Sequence, residues 1–227
     1  MLPRQELLHR VTDSIAALPG NPILRVAVDG VDGAGKTTLA DELTLLLRAR
    51  GKTVIRASID GFHNDRATRY RLGRTSPHGF YLDSFDYRGL RTALLDPLSP
   101  GGSGLYRTAI FDHAIDSALV VSEAQAAVGS ILVLDGIFLH RPELRHFWDF
   151  SIFLHVVFEV SIPRGAQRGA GFGSPDPTAP ANVRYVEGQR LYLHECKPWL
   201  QATMIIDNND TAIPRLISPV DLDPRSC

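Results

Sequence analysis

Ile23-Leu24-Arg25-Val26-Ala27-Val28-Asp29-Gly30-Val31-Asp32-Gly33-Ala34-Gly35-Lys36-Thr37-Thr38 is the stretch that decides the fold. Its first seven residues form a short apolar, partly β-branched run that ends at glycine, the pattern of a buried parallel strand feeding a turn. Beyond it, Leu39, Leu43, Leu46 and Leu47 recur at helical spacing, and Gly51 is a natural stop after Arg50. Between strand and helix, Gly30 to Thr37 has the G-x-x-x-x-G-K-T spacing of a phosphate-binding P-loop, in the context that motif requires. Gly30, Gly33 and Gly35 let the backbone turn tightly, so that N–H groups of the loop, that of Ala34 included, converge on phosphate oxygens at the positive end of a helix. ATP is the expected ligand. Lys36 is expected to reach its β and γ phosphates, Thr37 to ligate Mg2+ through its hydroxyl, and Thr38 to lie near the α phosphate.

The rest of the chain repeats this rhythm. Thr53 to Ile59 reads as a strand ending at Asp60-Gly61, and Ile131 to Leu134 as one ending at Asp135-Gly136. Phe150 to Val157 and Met204 to Ile206 read as further strands, with helical patterns between them, notably Asn182 to Leu200. Repeated βα alternation predicts an α/β fold with a doubly wound parallel sheet, and the motif makes it a P-loop NTPase. Two stretches break the pattern: arginine-rich Asn64 to Gly79, and Gly165 to Pro180, dominated by Gly, Pro, Ser and Ala. Both read as long functional loops.

At 227 residues the chain is long enough for one such domain, and no linker divides it. We expect a single domain over residues 1–227, with an N-terminal helix over 1–20, a substrate-binding insertion over 61–118 and a lid over 164–182. A net charge of −1 supplies no basic field for nucleic acid or anionic membranes, which argues for a small-molecule partner. No segment approaches the run of about 18 uncharged apolar residues that a membrane span needs. Arg4, Glu6, Arg10 and Asp13 break up the N-terminal apolar pattern, unlike a signal peptide. Cys196 and Cys227 are the only cysteines, so no disulfide framework is expected, and a reducing cytoplasm fits. A homo-oligomer is compatible with all of this.

Acids at the carboxyl ends of parallel strands face the crevice where open α/β sheets bind ligands. Asp135 is expected to face the magnesium shell opposite Thr37, as a Walker-B-type acid. Asp60, followed by Gly61, Phe62 and His63, is expected to face both the γ phosphate and an incoming hydroxyl, as the base that orients and deprotonates the acceptor. His63 is a candidate for substrate contact.

These residues carry a resemblance. Gly30 to Thr38, Asp60 to His63, Tyr81-Leu82-Asp83-Ser84-Phe85-Asp86, the stretch from Tyr106 to His113 and Ile205-Ile206-Asp207-Asn208 together resemble the uridine kinase and phosphoribulokinase family of P-loop kinases, over residues 23 to 210. The resemblance implies transfer of the γ-phosphoryl group of ATP to a hydroxyl of a nucleoside. It implies Asp60 as the base, Asp83 as the grip on ribose hydroxyls with Tyr81 beside it, Phe111 and Asp112 near the base of the acceptor, and Arg164 and Arg168 as lid arginines closing on the transferring group. Lys36 belongs to the same catalytic set. Asp116 stands where the family's base-reading histidine would, and a carboxylate cannot donate a hydrogen bond. Arg66, Arg69, Arg71 and Arg74 have no counterpart in the short loop of uridine kinases. They suit an anionic substrate such as a carboxylate or sugar phosphate, and the alternative reading is a kinase of an anionic or polyol acceptor, a pantothenate-like acid or a sugar. A thymidylate-type nucleotide kinase and a nucleotide-binding switch are further readings. The former's D-R-x-x-x-S segment and the latter's N-K-x-D reader are missing.

Overall fold

The computed structural model describes residues 3–19, 22–167, 169 and 173–222. The centre is a six-stranded sheet built from β1 (Ile23–Gly30), β2 (Val54–Ser58), β3 (Ser130–Gly136), β4 (Phe150–His155), β5 (Met204–Asp207) and β6 (Arg215–Ile217). Their order across the sheet is β6-β5-β4-β1-β3-β2. All neighbours are parallel except β6, which returns antiparallel to β5 through the Arg215↔Asp207 register. Every residue of β1, β3 and β4 is buried, so both faces of the sheet are covered, as parallel sheets require. The strand carrying the loop motif therefore lies mid-sheet. β3 sits between it and β2, and the register pairs Val28 of β1 with Asp135 of β3.

Helix α1 (Arg4–Ala16) buries Leu7, Leu8, Val11 and Ile15, the helically spaced set expected of it, and packs on α2 (Lys36–Ala49). α2 in turn covers β1, β2 and β3 through Leu39, Leu43 and Leu47. α3 (Pro77–Asp83) packs against α5 (Val183–Cys196), and α4 (Phe158–Ala166) follows β4. α5 ends four residues earlier than the helical pattern predicts. Lys197 adopts a left-handed φ of 45° before Pro198, whose ring disfavours helical geometry in the residue preceding it. A short separate helical turn, Pro198–Gln201, carries the remaining apolar positions.

The stretch from Asn64 to Gly79, expected as a loop, holds a helical turn over Arg66–Arg69 and the start of α3. Asp65 and Ser76 cap these two turns by accepting from the amides of Thr68 and Gly79, at 2.7 and 3.1 Å. Two small hairpins, Leu105–Tyr106 with Ala124–Gln125 and Phe111–Asp112 with Ser117–Ala118, complete the insertion. Among the described residues, no helix is long and apolar enough to cross a membrane.

Candidate active site

The phosphate end is built outward from β1. Asp29 is fully buried, and its Oδ1 accepts from the Gly30 amide at 2.7 Å. Its Oδ2 accepts from the amide and Nδ1 of His140, at 3.2 and 2.6 Å, and from the Tyr192 hydroxyl. The carboxyl end of β1 is thereby fixed, and with it the start of the loop. Gly33 and Gly35 have left-handed φ values of 75° and 92°. The Lys36 ammonium is folded onto its own loop, donating to the Val31 carbonyl at 2.9 Å. Two distant residues brace the loop. Gln189 of α5 accepts from the Asp32 amide at 2.5 Å, and Asn208, after β5, donates to the Ala34 carbonyl at 2.8 Å.

Thr37, in the first turn of α2, donates its hydroxyl proton to Oδ2 of Asp135 at 2.7 Å. Asp135 is 2% exposed and its Oδ1 pairs with Arg56 Nη1 at 2.7 Å, while Arg56 Nε holds Asp41 at 2.8 Å. The residues present fit a nucleotide with magnesium: a glycine loop at a helix N-terminus, and a hydroxyl beside a strand-end carboxylate. Among the described residues no cluster of three or more His, Cys, Asp or Glu exists for a metal held by protein alone.

A cavity of about 360 Å³ opens beside this loop, and Lys36, Thr37, Asp135 and Asp60 all line it. Asp60 sits in the short helical turn Ile59–Phe62 at the end of β2 and is exposed to the cavity. His63 is fixed above it, its Nδ1 hydrogen-bonded to the Asp60 carbonyl at 2.9 Å and its ring stacked on His113 with centroids 4.7 Å apart. Burial pushes the His63 pKa below its ordinary value despite the neighbouring Asp60 carbonyl and carboxylate, so the ring is neutral at pH 7.

Farther along the wall lie Arg69, Tyr70, Arg184 and Tyr185. Arg184, Arg56, Gln189 and His113 were not singled out from the sequence. Arg69 and Tyr70 belong to the arginine-rich stretch that was.

Other expected site residues are committed elsewhere. Tyr81 is buried, its hydroxyl 3.4 Å from Cys196 Sγ and its ring 4.3 Å from the Arg141 guanidinium carbon. Asp83 is buried, with Oδ1 on Arg71 at 2.7 Å and Oδ2 without a hydrogen-bond partner. Phe111 and Asp112 form one side of their hairpin, and Asp112 accepts from the Ala114 amide at 2.9 Å. None of the four is on the cavity wall, where His113 stands instead. Arg164 donates to the carbonyls of Asn208 and Asn209, at 3.2 and 2.9 Å, near the carboxyl end of β5. Arg168 lies outside the described residues.

Comparison of this architecture with solved structures decides the fold. A candidate uridine kinase from Bacillus stearothermophilus superposes with a TM-score of 0.71 at 23% identity, over 88% of this chain and 97% of that one. The fold is that of the uridine kinase and phosphoribulokinase family of P-loop kinases. A candidate fructose transport system kinase from Silicibacter sp. TM1040 superposes at 0.66 with 25% identity, over 86% of this chain and 95% of that one. Phosphoribulokinase from Rhodobacter spheroides reaches 0.55 at 16% identity, over 82% and 70% of the two chains. By sequence, the chain matches no protein-family model and no curated protein at a significant level.

Proposed function

We propose that this protein transfers the γ-phosphoryl group of ATP to a hydroxyl of a small sugar-like or polyol acceptor. The observation that carries this reading is the shared cavity: a strand-end carboxylate, Asp60, faces the same space as Lys36, Thr37 and Asp135 of the phosphate end. Kinship of fold with proteins described as uridine, fructose transport system and phosphoribulose kinases supports a phosphotransferase with an alcohol acceptor. A sugar or polyol is favoured over a nucleoside because Asp83, Phe111 and Asp112 stand off the cavity wall.

Bound ATP with Mg2+, held by Gly30 to Thr38 and Asp135, supplies the phosphoryl group and neutralises its oxygens. The chain's own residues do the rest. Asp60 accepts a hydrogen bond from the acceptor hydroxyl, aligns its oxygen and takes its proton as the new O–P bond forms and the bond from the γ phosphorus to the departing ADP breaks. Lys36 leaves the Val31 carbonyl to place its charge on the phosphates. Neutral His63, stacked on His113, walls the hydroxyl from bulk water without competing for Asp60. Arg164 and Arg168 are the lid residues of this reading, suited to stabilising the transferring group on closure.

The test is ADP release with ATP and Mg2+ against pentoses, hexoses, glycerate, pentose phosphates, pantothenate and nucleosides. With the best acceptor, Asp60→Asn is expected to lower kcat by about 10²- to 10⁴-fold and leave ATP binding near wild type. A kcat that does not move removes Asp60 as the base, and turnover indifferent to every acceptor removes the kinase reading.

A further inference from the structure

Arg184 is a buried cation without an ion-pair partner among the described residues. It is 5% exposed, and three backbone carbonyls hold its guanidinium: Gly73 and Ser76 on Nη1, at 3.1 and 3.0 Å, and Arg69 on Nη2, at 2.8 Å. Two aromatic faces flank it, with Tyr70 4.9 Å and Phe80 5.8 Å from the guanidinium carbon. Carbonyl and ring dipoles ease the burial of a charge but do not neutralise it. Asp83 acts on Arg184 only at a distance, its Oδ1 being bonded to Arg71.

Two more guanidiniums crowd the same ring, those of Arg74 at 5.1 Å and Arg69 at 6.0 Å from the Tyr70 centroid. Arg69 Nη2 pairs with Asp116 at 2.9 Å, yet its Nε is buried and bonded to nothing. A buried N–H donor left idle is destabilising, and like charges gathered on one ring repel. An oxyanion is the kind of group that would lower both costs. Arg69, Tyr70 and Arg184 all line the cavity that also holds Asp60 and Lys36.

We propose that Arg69 and Arg184 form a subsite for an anionic group of the acceptor, so that the substrate is a hydroxyl compound carrying a phosphate or carboxylate away from the reacting hydroxyl. The proposal rests on the kinase reading for the word acceptor, but the subsite stands on its own geometry. The carbonyl clamp fixes the Arg184 plane before any ligand arrives, which reduces the ordering cost of binding. Arg69 supplies the open donor. The anion is thus held at one end while Asp60 selects the hydroxyl at the other, and a neutral polyol leaves the arginines uncompensated.

Inorganic phosphate is the probe that presupposes no carbon skeleton. With the P-loop filled by a non-hydrolysable ATP analogue and Mg2+, the full chain is expected to bind phosphate by calorimetry. Arg69→Gln should weaken that binding at least tenfold, and Arg69→Lys should recover part of it, with unchanged affinity for the analogue and unchanged melting temperature. No phosphate binding, or binding indifferent to Arg69, overturns the subsite. Turnover then separates the two sources of the anion: pentose phosphates against ribose, and glycerate against glycerol. The charged member of at least one pair should exceed its neutral parent by tenfold or more in kcat/KM, and that advantage should be lost in Arg69→Gln. Neutral parents turned over equally well overturn the proposal and leave the kinase reading intact. Arg69-dependent phosphate binding without turnover of any acceptor sustains the subsite and defeats the kinase reading instead.

Discussion

A Cβ on Gly33 would lie 2.0 Å from the Ser161 carbonyl oxygen, and the residue's φ of 75° is left-handed. The loop is therefore pressed against the backbone of α4, and backbone cannot swing aside as a side-chain tip can. Gly51 provides the internal control. Its φ of 74° is nearly the same, but no atom lies within 4 Å of where its Cβ would be. Gly51→Ala should cost only the left-handed strain, about 1–2 kcal/mol, and leave nucleotide affinity alone. Gly33→Ala carries the same strain plus a collision that moves either the loop or α4. We expect a melting temperature several degrees below that of Gly51→Ala, at about 2–4 °C per kcal/mol for a chain of this size, and loss of most ATP affinity. Equal behaviour of the two variants would show that the contact with Ser161 is not needed to shape the loop.

Helix α5 ties three parts of the site together along its length. Arg184 and Tyr185 at its start line the cavity, Gln189 holds the Asp32 amide of the loop, and Tyr192 holds Asp29 near the end of β1. Gln189 is 1% exposed and its Nε2 is bonded to the Tyr185 carbonyl at 3.0 Å, so its amide is oriented before it meets the loop. Gln189→Leu keeps the volume and removes the acceptor that holds the Asp32 amide, at about 1–3 kcal/mol. That cost should appear in loop positioning: a KM for ATP raised roughly five- to hundredfold, with kcat at saturating ATP little changed. An unchanged KM would reduce Gln189 to a packing residue. None of this could be read from the chain, because Asp32 and Gln189 are 157 positions apart and glutamine on a helix face has no signature of its own. What was legible was local. Glycine spacing in a strand-loop-helix context marks the loop, and strand-end positions mark Asp60 and Asp135, which line one cavity with Lys36. The surroundings of Tyr81 and Asp83 were not legible for the complementary reason: their motif marks the turn, but the partners they meet, Cys196, Arg141 and Arg71, come from other elements or depend on how the insertion folds.

Across the whole molecule, the sheet order was hidden for the same reason, since alternating strands and helices do not say that β3 inserts between β1 and β2. That order puts His155, at the end of β4, in register with Asp207 at the end of β5. Burial lowers the His155 pKa, with Asp207 opposing, just as burial lowers that of His63 at the other edge of the site. Asp207 is itself held below the ordinary carboxylate range. Burial would raise it, but the Asn209 amide and Arg215 together outweigh that. The signs are opposite in origin but agree in consequence. In the unfolded chain both histidines take protons near pH 6.5, whereas in the folded chain they resist until lower pH, so unfolding binds protons and stability falls as pH drops from 6.5 toward the folded values. The Asp207 contribution is present above the unfolded carboxylate value of 3.8 and is lost only as pH falls through its lower folded value. Urea midpoints should therefore be level between pH 8 and 7 and decline between pH 6.5 and 5.5, well before carboxylates titrate. His155→Gln should shallow that decline while leaving the pH 8 plateau flat. A midpoint that holds or rises on going from pH 7 to 5.5 would mean that neither histidine is kept neutral by the fold.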